Sequence, residues 1–194
     1  MAPAVKDLPI VEFESKKAWA SWLTKQHAAS DGVWLKIARK DSEHETVTYP
    51  EALEVALCYG WIDGQKGKLD DDFWLQRFTP RRARSRWSRI NRDKATELIE
   101  RGEMKPAGLR EVERARADGR WTAAYAGQRT IEVPADLKKA LARNKRAREF
   151  FETLTGSNRY AILYRIEDAK RPETRARRIE KFVAMLEAHE KMHP

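Results

Sequence analysis

The sequence is poor in cysteine and has no long hydrophobic run. Its single cysteine, Cys58, excludes an intramolecular disulfide and any metal site built from several cysteines. No segment approaches the roughly 20 apolar residues of a membrane-spanning helix, and the N-terminal residues do not have the pattern of a signal peptide. We therefore expect a cytoplasmic protein in a reducing compartment, and nothing in the sequence supports membrane association.

Common signatures of catalysis and metal binding are also missing. There is no glycine-rich phosphate loop and no Gly-x-Ser-x-Gly elbow. The four histidines do not have the spacing of metal ligands, and the run Asp70, Asp71 and Asp72 lacks the spaced ligands of a calcium loop. We predict no metal, no cofactor and no assigned catalytic residue.

Basic and aromatic side chains are abundant. The 194 residues include 39 lysines and arginines against 30 acidic residues, which gives a net charge of +9. Such an excess favours anionic partners through long-range attraction. Seven tryptophans, six phenylalanines and five tyrosines exclude a disordered chain, because disordered segments are poor in aromatic residues.

Arginine is concentrated between Asp72 and Asp93, a stretch without any acidic residue. A helix is expected to start near Ser85 or Ser88, and the free N–H groups and dipole of a helix N-terminus also favour an anion. The alternative is a solvated basic loop whose charges pair with acidic helices elsewhere. We predict that an anionic partner, a nucleic acid or a phosphorylated ligand, binds at Arg77, Arg81, Arg82, Arg84, Arg86 and Arg89.

Hydrophobic periodicity predicts an α+β fold with a small antiparallel sheet and helices in the N-terminal half. Ser15 can cap a first helix, and Thr48 with Glu51 has the spacing of a capping box for a second helix that ends at Gly60. Alternation predicts one strand at residues 33–37. Residues 61–65 and 73–78 are predicted to form a hairpin.

The C-terminal half shows helical spacing only. We predict an α+β region over residues 1–125 and a helical region over residues 126–194, packed against the first as one compact unit. The last helix carries a second basic group in which Arg175 and Arg178 are secondary candidates for anion binding. The alternative for these residues is a set of helix-stabilising ion pairs.

Asp63 is the best candidate for acid or base chemistry. It follows Trp61 and Ile62 just past a helix end, where a carboxylate can be partly desolvated. The alternative is a structural carboxylate that accepts from the backbone or from an arginine. A pocket around Asp63 is predicted to include Trp61, Gln65, Trp87 and Asn91.

Two blocks of the sequence resemble the YdeI/OmpD-associated family, also called bacteriocin-protection proteins. The first is GWID at residues 60–63 with FTPR at residues 78–81 and Trp87, Ser88 and Asn91; the second is Arg159-Tyr160 with ETR-x-x-RI at residues 173–179. The resemblance implies association with a porin or protection against membrane-active peptides, without assigned catalytic residues.

We therefore favour a non-enzymatic binding protein with a stress or antimicrobial-peptide protection role that engages an anionic partner through its arginines. An enzyme that acts on a small phosphorylated or carboxylated substrate, in a pocket formed by Trp61, Asp63 and Arg77, is the alternative. An adaptor that contacts another protein through exposed aromatic residues is a third hypothesis.

Overall fold

The computed structural model describes residues 8–193 and confirms the α+β class. In chain order, its elements are β1 (Ile10–Glu12), α1 (Lys16–Gln26), β2 (Val33–Ala38), α2 (Tyr49–Cys58), β3 (Trp61–Lys68), β4 (Phe73–Pro80), α3 (Arg89–Glu100), α4 (Pro106–Ala117), α5 (Ala135–Ala142), α6 (Lys145–Thr153), α7 (Gly156–Asp168) and α8 (Pro172–Glu187).

The four strands form a mixed sheet in the order β1-β2-β4-β3. Strand β4 is antiparallel to both of its neighbours, as expected for the predicted hairpin, but β1 pairs with β2 in parallel. The sheet is therefore not wholly antiparallel. The difference arises because α1 connects β1 to β2, and a helix that returns the chain across the sheet allows a parallel neighbour.

Local capping explains where the first two helices begin and end. The Ser15 hydroxyl accepts from the Ala18 N–H at 3.2 Å. The Glu51 carboxylate accepts from the Thr48 N–H at 3.0 Å, which satisfies a donor ahead of α2. After α2, Gly60 has φ +75°, a left-handed conformation in which a residue with a Cβ would be strained.

The hairpin of β3 and β4 is longer and less regular than its sequence suggests. Its register shifts between Asp63 and Lys66. Gln76, which is 1 % exposed, fills this irregularity, because its side-chain amide donates to the carbonyls of Gly64 at 2.9 Å and Gln65 at 3.3 Å. A buried glutamine thus supplies the hydrogen bonds that the shifted strand lacks.

The chain forms two compact units. The first contains the described residues up to Trp87 together with Asn91–Ala123, and the second contains Ser88–Ile90 and the described residues from Ala124 onward. In the first unit, Trp19 packs between Trp61 and Phe78, with ring centroids 6.2 Å and 5.8 Å apart. The two buried indoles donate to backbone carbonyls of Ala52 and His27, so their polar atoms are satisfied.

Helix α4 approaches α2 so closely that a side chain would not fit at one position. A Cβ built on Gly108 would lie 2.4 Å from the carbonyl oxygen of Cys58 and 2.8 Å from that of Leu57. The Lys105 N–H also donates to the Cys58 carbonyl at 3.1 Å. Glycine at position 108 therefore allows the start of α4 to pack against the end of α2.

The second unit has its own core between helices α5 to α8. The buried side chains of this core include Leu137, Leu141, Phe151, Leu154, Ile162, Leu163, Ile166, Ile179, Phe182 and Leu186.

Within the residues that the structure describes, none of the helices in either unit combines the length and the apolar character needed to cross a membrane.

Glu54 joins three helices of the first unit. Its carboxylate pairs with Lys16 of α1 at 2.8 Å and with Lys94 of α3 at 2.9 Å. The hydrogen bond from Lys16, helped by the one from Lys94, lowers the pKa of Glu54 to about 2 against the opposing effect of burial. The folded state therefore favours the ionised carboxylate.

We expect Glu54→Gln to lower the free energy of unfolding at neutral pH. Because the folded pKa is depressed, the stabilisation by Glu54 is complete above its unfolded pKa of about 4.3 and is lost as pH falls through about 2. The difference between wild type and Glu54→Gln, measured by urea unfolding, should shrink over that window. Glu113→Gln, at an exposed position of α4, is the control, and an equal difference at pH 2 and pH 7 would refute the assignment.

Candidate anion-binding surface

Residues 81–88, here called the arginine loop, connect β4 to α3. The loop begins where the Arg81 N–H donates to the Gly60 carbonyl at 3.0 Å. Its tip is a hydrogen-bonded turn: the Arg82 N–H donates to the Ser85 hydroxyl at 2.9 Å, and the Ser85 N–H donates to the Arg82 carbonyl at 2.9 Å. The side chains of Arg82 and Arg84 are exposed on this turn.

Arg81 is not a surface cation, contrary to the sequence prediction. It is 6 % exposed, its guanidinium carbon lies 3.5 Å from the centroid of the Trp87 ring, and its Nη1 donates to the Arg86 carbonyl at 3.2 Å. The stack joins the first residue of the loop to Trp87 near its end. Arg81 therefore organises the loop from a buried position.

A second arginine group, which the sequence reading missed, supports the loop from the end of α4. The Arg120 Nη1 donates to the Ser85 carbonyl at 2.7 Å, while its Nη2 pairs with Asp118 at 2.7 Å. Trp121 packs edge-on against Trp87 with ring centroids 4.9 Å apart. The alternating arginines just before the turn at residues 118–119 indicate a second basic group in the sequence. Only the contact of Arg120 with Ser85 shows that this group lies beside the arginine loop.

Arg116 extends this group. Its guanidinium carbon lies 5.3 Å from the centroid of the Trp121 ring, and both its side chain and part of the indole face solvent. Residues 81–88 contribute four arginines and no carboxylate, and residues 110–121 contribute four arginines against three carboxylates. The two segments in contact thus carry eight arginines and three acidic residues.

The remaining predicted arginines occupy different environments. Arg77 lies on the sheet opposite Trp34, with its Nε 2.9 Å from the position of a Cβ on Gly64. Arg86 is half-buried. Arg89 is exposed, belongs to the second unit and donates from its Nε to the Ala124 carbonyl at 3.4 Å. The six predicted arginines therefore differ in exposure and in local partners.

Asp63 is held by two hydrogen-bond donors. Its Oδ2 accepts from the Tyr49 hydroxyl at 3.0 Å and its Oδ1 from the Asn91 Nδ2 at 3.3 Å. Burial and the neighbouring charge of Asp63 raise the pKa of Tyr49 above its ordinary value, so the phenol stays protonated as a donor. These contacts favour the structural alternative for Asp63 over acid or base chemistry.

The sheet does not bring the two charged residues of the enzyme alternative to one face. Asp63 pairs with Phe78 across the sheet, so these two side chains share a face. Arg77 immediately precedes Phe78 in β4 and therefore points to the opposite face. Trp61 and Trp87 are 1 % and 2 % exposed, whereas Gln65 is exposed. The sheet register therefore separates the carboxylate from the cation that this chemistry requires.

The secondary candidates Arg175 and Arg178 are engaged within the second unit. Arg175 forms a two-pronged pair with Asp136, at 2.5 Å and 3.0 Å, and donates to the Ile166 carbonyl at 2.8 Å. This pairing lowers the pKa of Asp136. Arg178 donates to the Arg165 carbonyl and lies 3.4 Å from Asp168. Both arginines thus have structural partners.

Within residues 8–193, no group of three or more histidine, cysteine or acidic side chains is arranged to hold a metal ion. Cys58 is buried, and burial raises the pKa of its thiol to about 11. A thiol with that pKa is almost entirely protonated at neutral pH, which disfavours a nucleophilic role.

These elements define an α+β protein with a mixed four-stranded sheet in its first unit and a helical second unit. The chain belongs to the family described as Domain of unknown function (DUF8412), which matches residues 11–111, and residues 130–189 match the family described as Bacteriocin-protection, YdeI or OmpD-Associated. The second match confirms the predicted relationship for the C-terminal part of the chain. Searches of curated proteins and of solved structures found no significant match.

The two blocks that carried the resemblance fall in different family matches. The block from Arg159 to Ile179 lies within the bacteriocin-protection match, whereas the block from Gly60 to Asn91 lies within the match to the domain of unknown function. The arginine loop therefore belongs to a part of the chain for which the family description names no role.

Replacing Asp63 with alanine should destabilise the first unit without any effect specific to binding. The substitution removes the acceptor of the half-buried Tyr49 hydroxyl, and the expected loss is about 1–3 kcal/mol in the free energy of unfolding. Asp31→Ala, at an exposed position, should change stability by less than about 0.5 kcal/mol. Equal stability of the two variants by denaturant unfolding would show that the Asp63 contacts contribute nothing.

Proposed function

We propose that this protein is a non-enzymatic binding protein with a protection-related role, and that it binds the phosphate backbone of a nucleic acid through Arg82, Arg84 and Arg116, here called the arginine surface. The observation that carries the proposal is the fixed, exposed turn of the arginine loop. The membership of residues 130–189 in a bacteriocin-protection family supports the protection role. The single cysteine fits an intracellular setting.

The arginines at the turn are available to a ligand. Arg82 and Arg84 are exposed, and within residues 8–193 neither forms an ion pair. The backbone of the turn is held by two hydrogen bonds, one from the Arg82 N–H to the Ser85 hydroxyl and one from the Arg120 guanidinium to the Ser85 carbonyl. A preorganised turn favours binding because less conformational entropy is lost when the ligand arrives.

The nearby carboxylates do not neutralise these cations. Asp118 is paired with Arg120, and Glu111 is paired with Arg114, so two of the three acidic residues in residues 110–121 are already occupied. The local excess of arginine therefore produces a positive potential that attracts a polyanion. Guanidinium groups also match phosphate geometry through paired N–H donors.

An extended polymer fits this surface better than a small phosphorylated ligand. Arg82 and Arg84 project from an exposed turn, whereas Asp63 and Arg77 lie on opposite faces of the sheet. Trp121 is half-exposed beside Arg116 and offers an aromatic plane on which a base can stack. Trp87 does not contribute to stacking, because it is buried under Arg81.

The test is binding of a fluorescent single-stranded oligonucleotide of about 20 nucleotides, followed by anisotropy over a series of salt concentrations. We expect binding by wild type that weakens steeply as salt rises. Arg82→Glu/Arg84→Glu should lower the affinity about tenfold or more and reduce the slope of log K against log salt by about 1.4, since each lost phosphate contact on a single strand removes about 0.7.

The matched control is Arg143→Glu/Arg146→Glu, which makes the same change of charge at two exposed positions of the second unit. Equal weakening in both double variants would mean that only net charge matters and would refute the arginine surface. Wild-type binding weaker than about 10 µM at low salt, or binding without a salt slope, would refute nucleic-acid binding altogether. Displacement of the oligonucleotide by millimolar inorganic phosphate would instead indicate a small phosphorylated ligand.

A further inference from the structure

A cavity of about 370 Å³ lies between α1, the end of α2 and the segment that precedes α4. It belongs to the first unit and shares no residue with the arginine surface. Its volume is within the range of pockets that bind small molecules, roughly 300–1,000 Å³. The walls combine an apolar floor with a charged rim.

The floor is formed by Ala20 of α1, Val55 and Cys58 of α2, and Tyr59. Val55 and Cys58 are 5 % and 7 % exposed, and the Tyr59 hydroxyl is hydrogen-bonded to the Thr24 hydroxyl at 2.7 Å. The polar atom of Tyr59 is thereby satisfied outside the cavity, which leaves the ring as an apolar wall. Such a floor fits an aliphatic or aryl group.

Both carboxylates of the rim already have cationic partners. Glu54 is paired with Lys16 and Lys94, and Glu103 is paired with Arg101 at 2.9 Å. Their negative charges are therefore compensated by the protein itself and do not oppose the approach of an anion.

Two lysines of the rim remain uncompensated. Lys17 and Lys105 are exposed at the mouth of the cavity, and no ion pair within residues 8–193 involves either ammonium group. A ligand with an anionic head at this mouth would be attracted by the two ammonium groups, because the neighbouring carboxylates are paired with other cations. The charge pattern thus selects an anion over a cation.

We propose that this cavity binds a small amphipathic anion, such as a medium-chain or aryl carboxylate, with its apolar part against Ala20, Val55, Cys58 and Tyr59 and its carboxylate between Lys17 and Lys105. The ligand is held by charge and burial only, and no covalent step is involved. This site is independent of the proposed nucleic-acid binding.

Cys58 provides a direct probe, because it is the only cysteine of the chain and lies in the cavity floor. The experiment measures the rate at which N-ethylmaleimide modifies Cys58 at about pH 9, where a small thiolate fraction exists, with increasing decanoate. We expect decanoate to slow the modification, with an apparent dissociation constant between roughly 10 µM and 1 mM. Isothermal titration of decanoate provides the same constant without the thiol reaction.

Three comparisons decide the proposal. Lys17→Glu/Lys105→Glu should raise the dissociation constant of decanoate about tenfold, whereas Lys25→Glu/Lys40→Glu, at exposed positions away from the cavity, should leave it unchanged. Octanol, which carries no charge, should bind to both double variants with the same dissociation constant. Decyltrimethylammonium, which is a cation, should not slow the modification of Cys58 in the wild type.

The proposal is wrong if about 1 mM decanoate neither slows the modification nor releases heat on titration with the wild-type protein. It is also wrong if both double variants bind decanoate like the wild type, because the anion would then not lie between the two rim lysines. The wild-type measurement stands by itself if a variant fails to fold.

Discussion

The stack of Arg81 on Trp87 determines the form of the arginine loop. A guanidinium is costly to bury unless its charge is stabilised by an aromatic face and by acceptors for its N–H groups, and here the indole ring lies at 3.5 Å and the Arg86 carbonyl accepts at 3.2 Å. With both ends of the loop joined, the chain between them closes into a hydrogen-bonded turn. Arg81 is thus buried at the start of the loop, while Arg82 and Arg84 are exposed on the turn that follows.

The position of carboxylates decides which cations are left for ligands. Aspartate and glutamate side chains pair with nearby lysines or arginines: Glu54 with Lys16 and Lys94, and Asp118 with Arg120. These pairs hold helices and loops together, and within residues 8–193 no ion pair involves Arg82, Arg84, Lys17 or Lys105. The arginine turn and the rim of the cavity near Cys58 share this arrangement, so each candidate site follows from structural ion pairs beside it.

The sheet register places Asp63 and Arg77 on opposite faces. Asp63 faces the side of the sheet on which Tyr49 and Asn91 donate to it, and Arg77 faces the other side. A carboxylate that accepts two hydrogen bonds from protein side chains stabilises the fold and is poorly placed to exchange protons with a substrate. This geometry favours a structural role for Asp63.

Local sequence determined the elements whose causes are local. The Ser15 cap, the Thr48 and Glu51 pair, the left-handed Gly60 and the alternating burial of β2 each depend on residues a few positions apart, so the sequence predicted them. Tertiary structure alone decided the parallel pairing of β1, the contact of Arg120 with Ser85, and the approach of Gly108 to Cys58. Those contacts join residues 24 or more positions apart, and no local propensity specifies them. The sequence shows how many arginines lie between Asp72 and Asp93, but only the tertiary structure shows that Arg81 is buried against Trp87 while Arg82 and Arg84 are exposed.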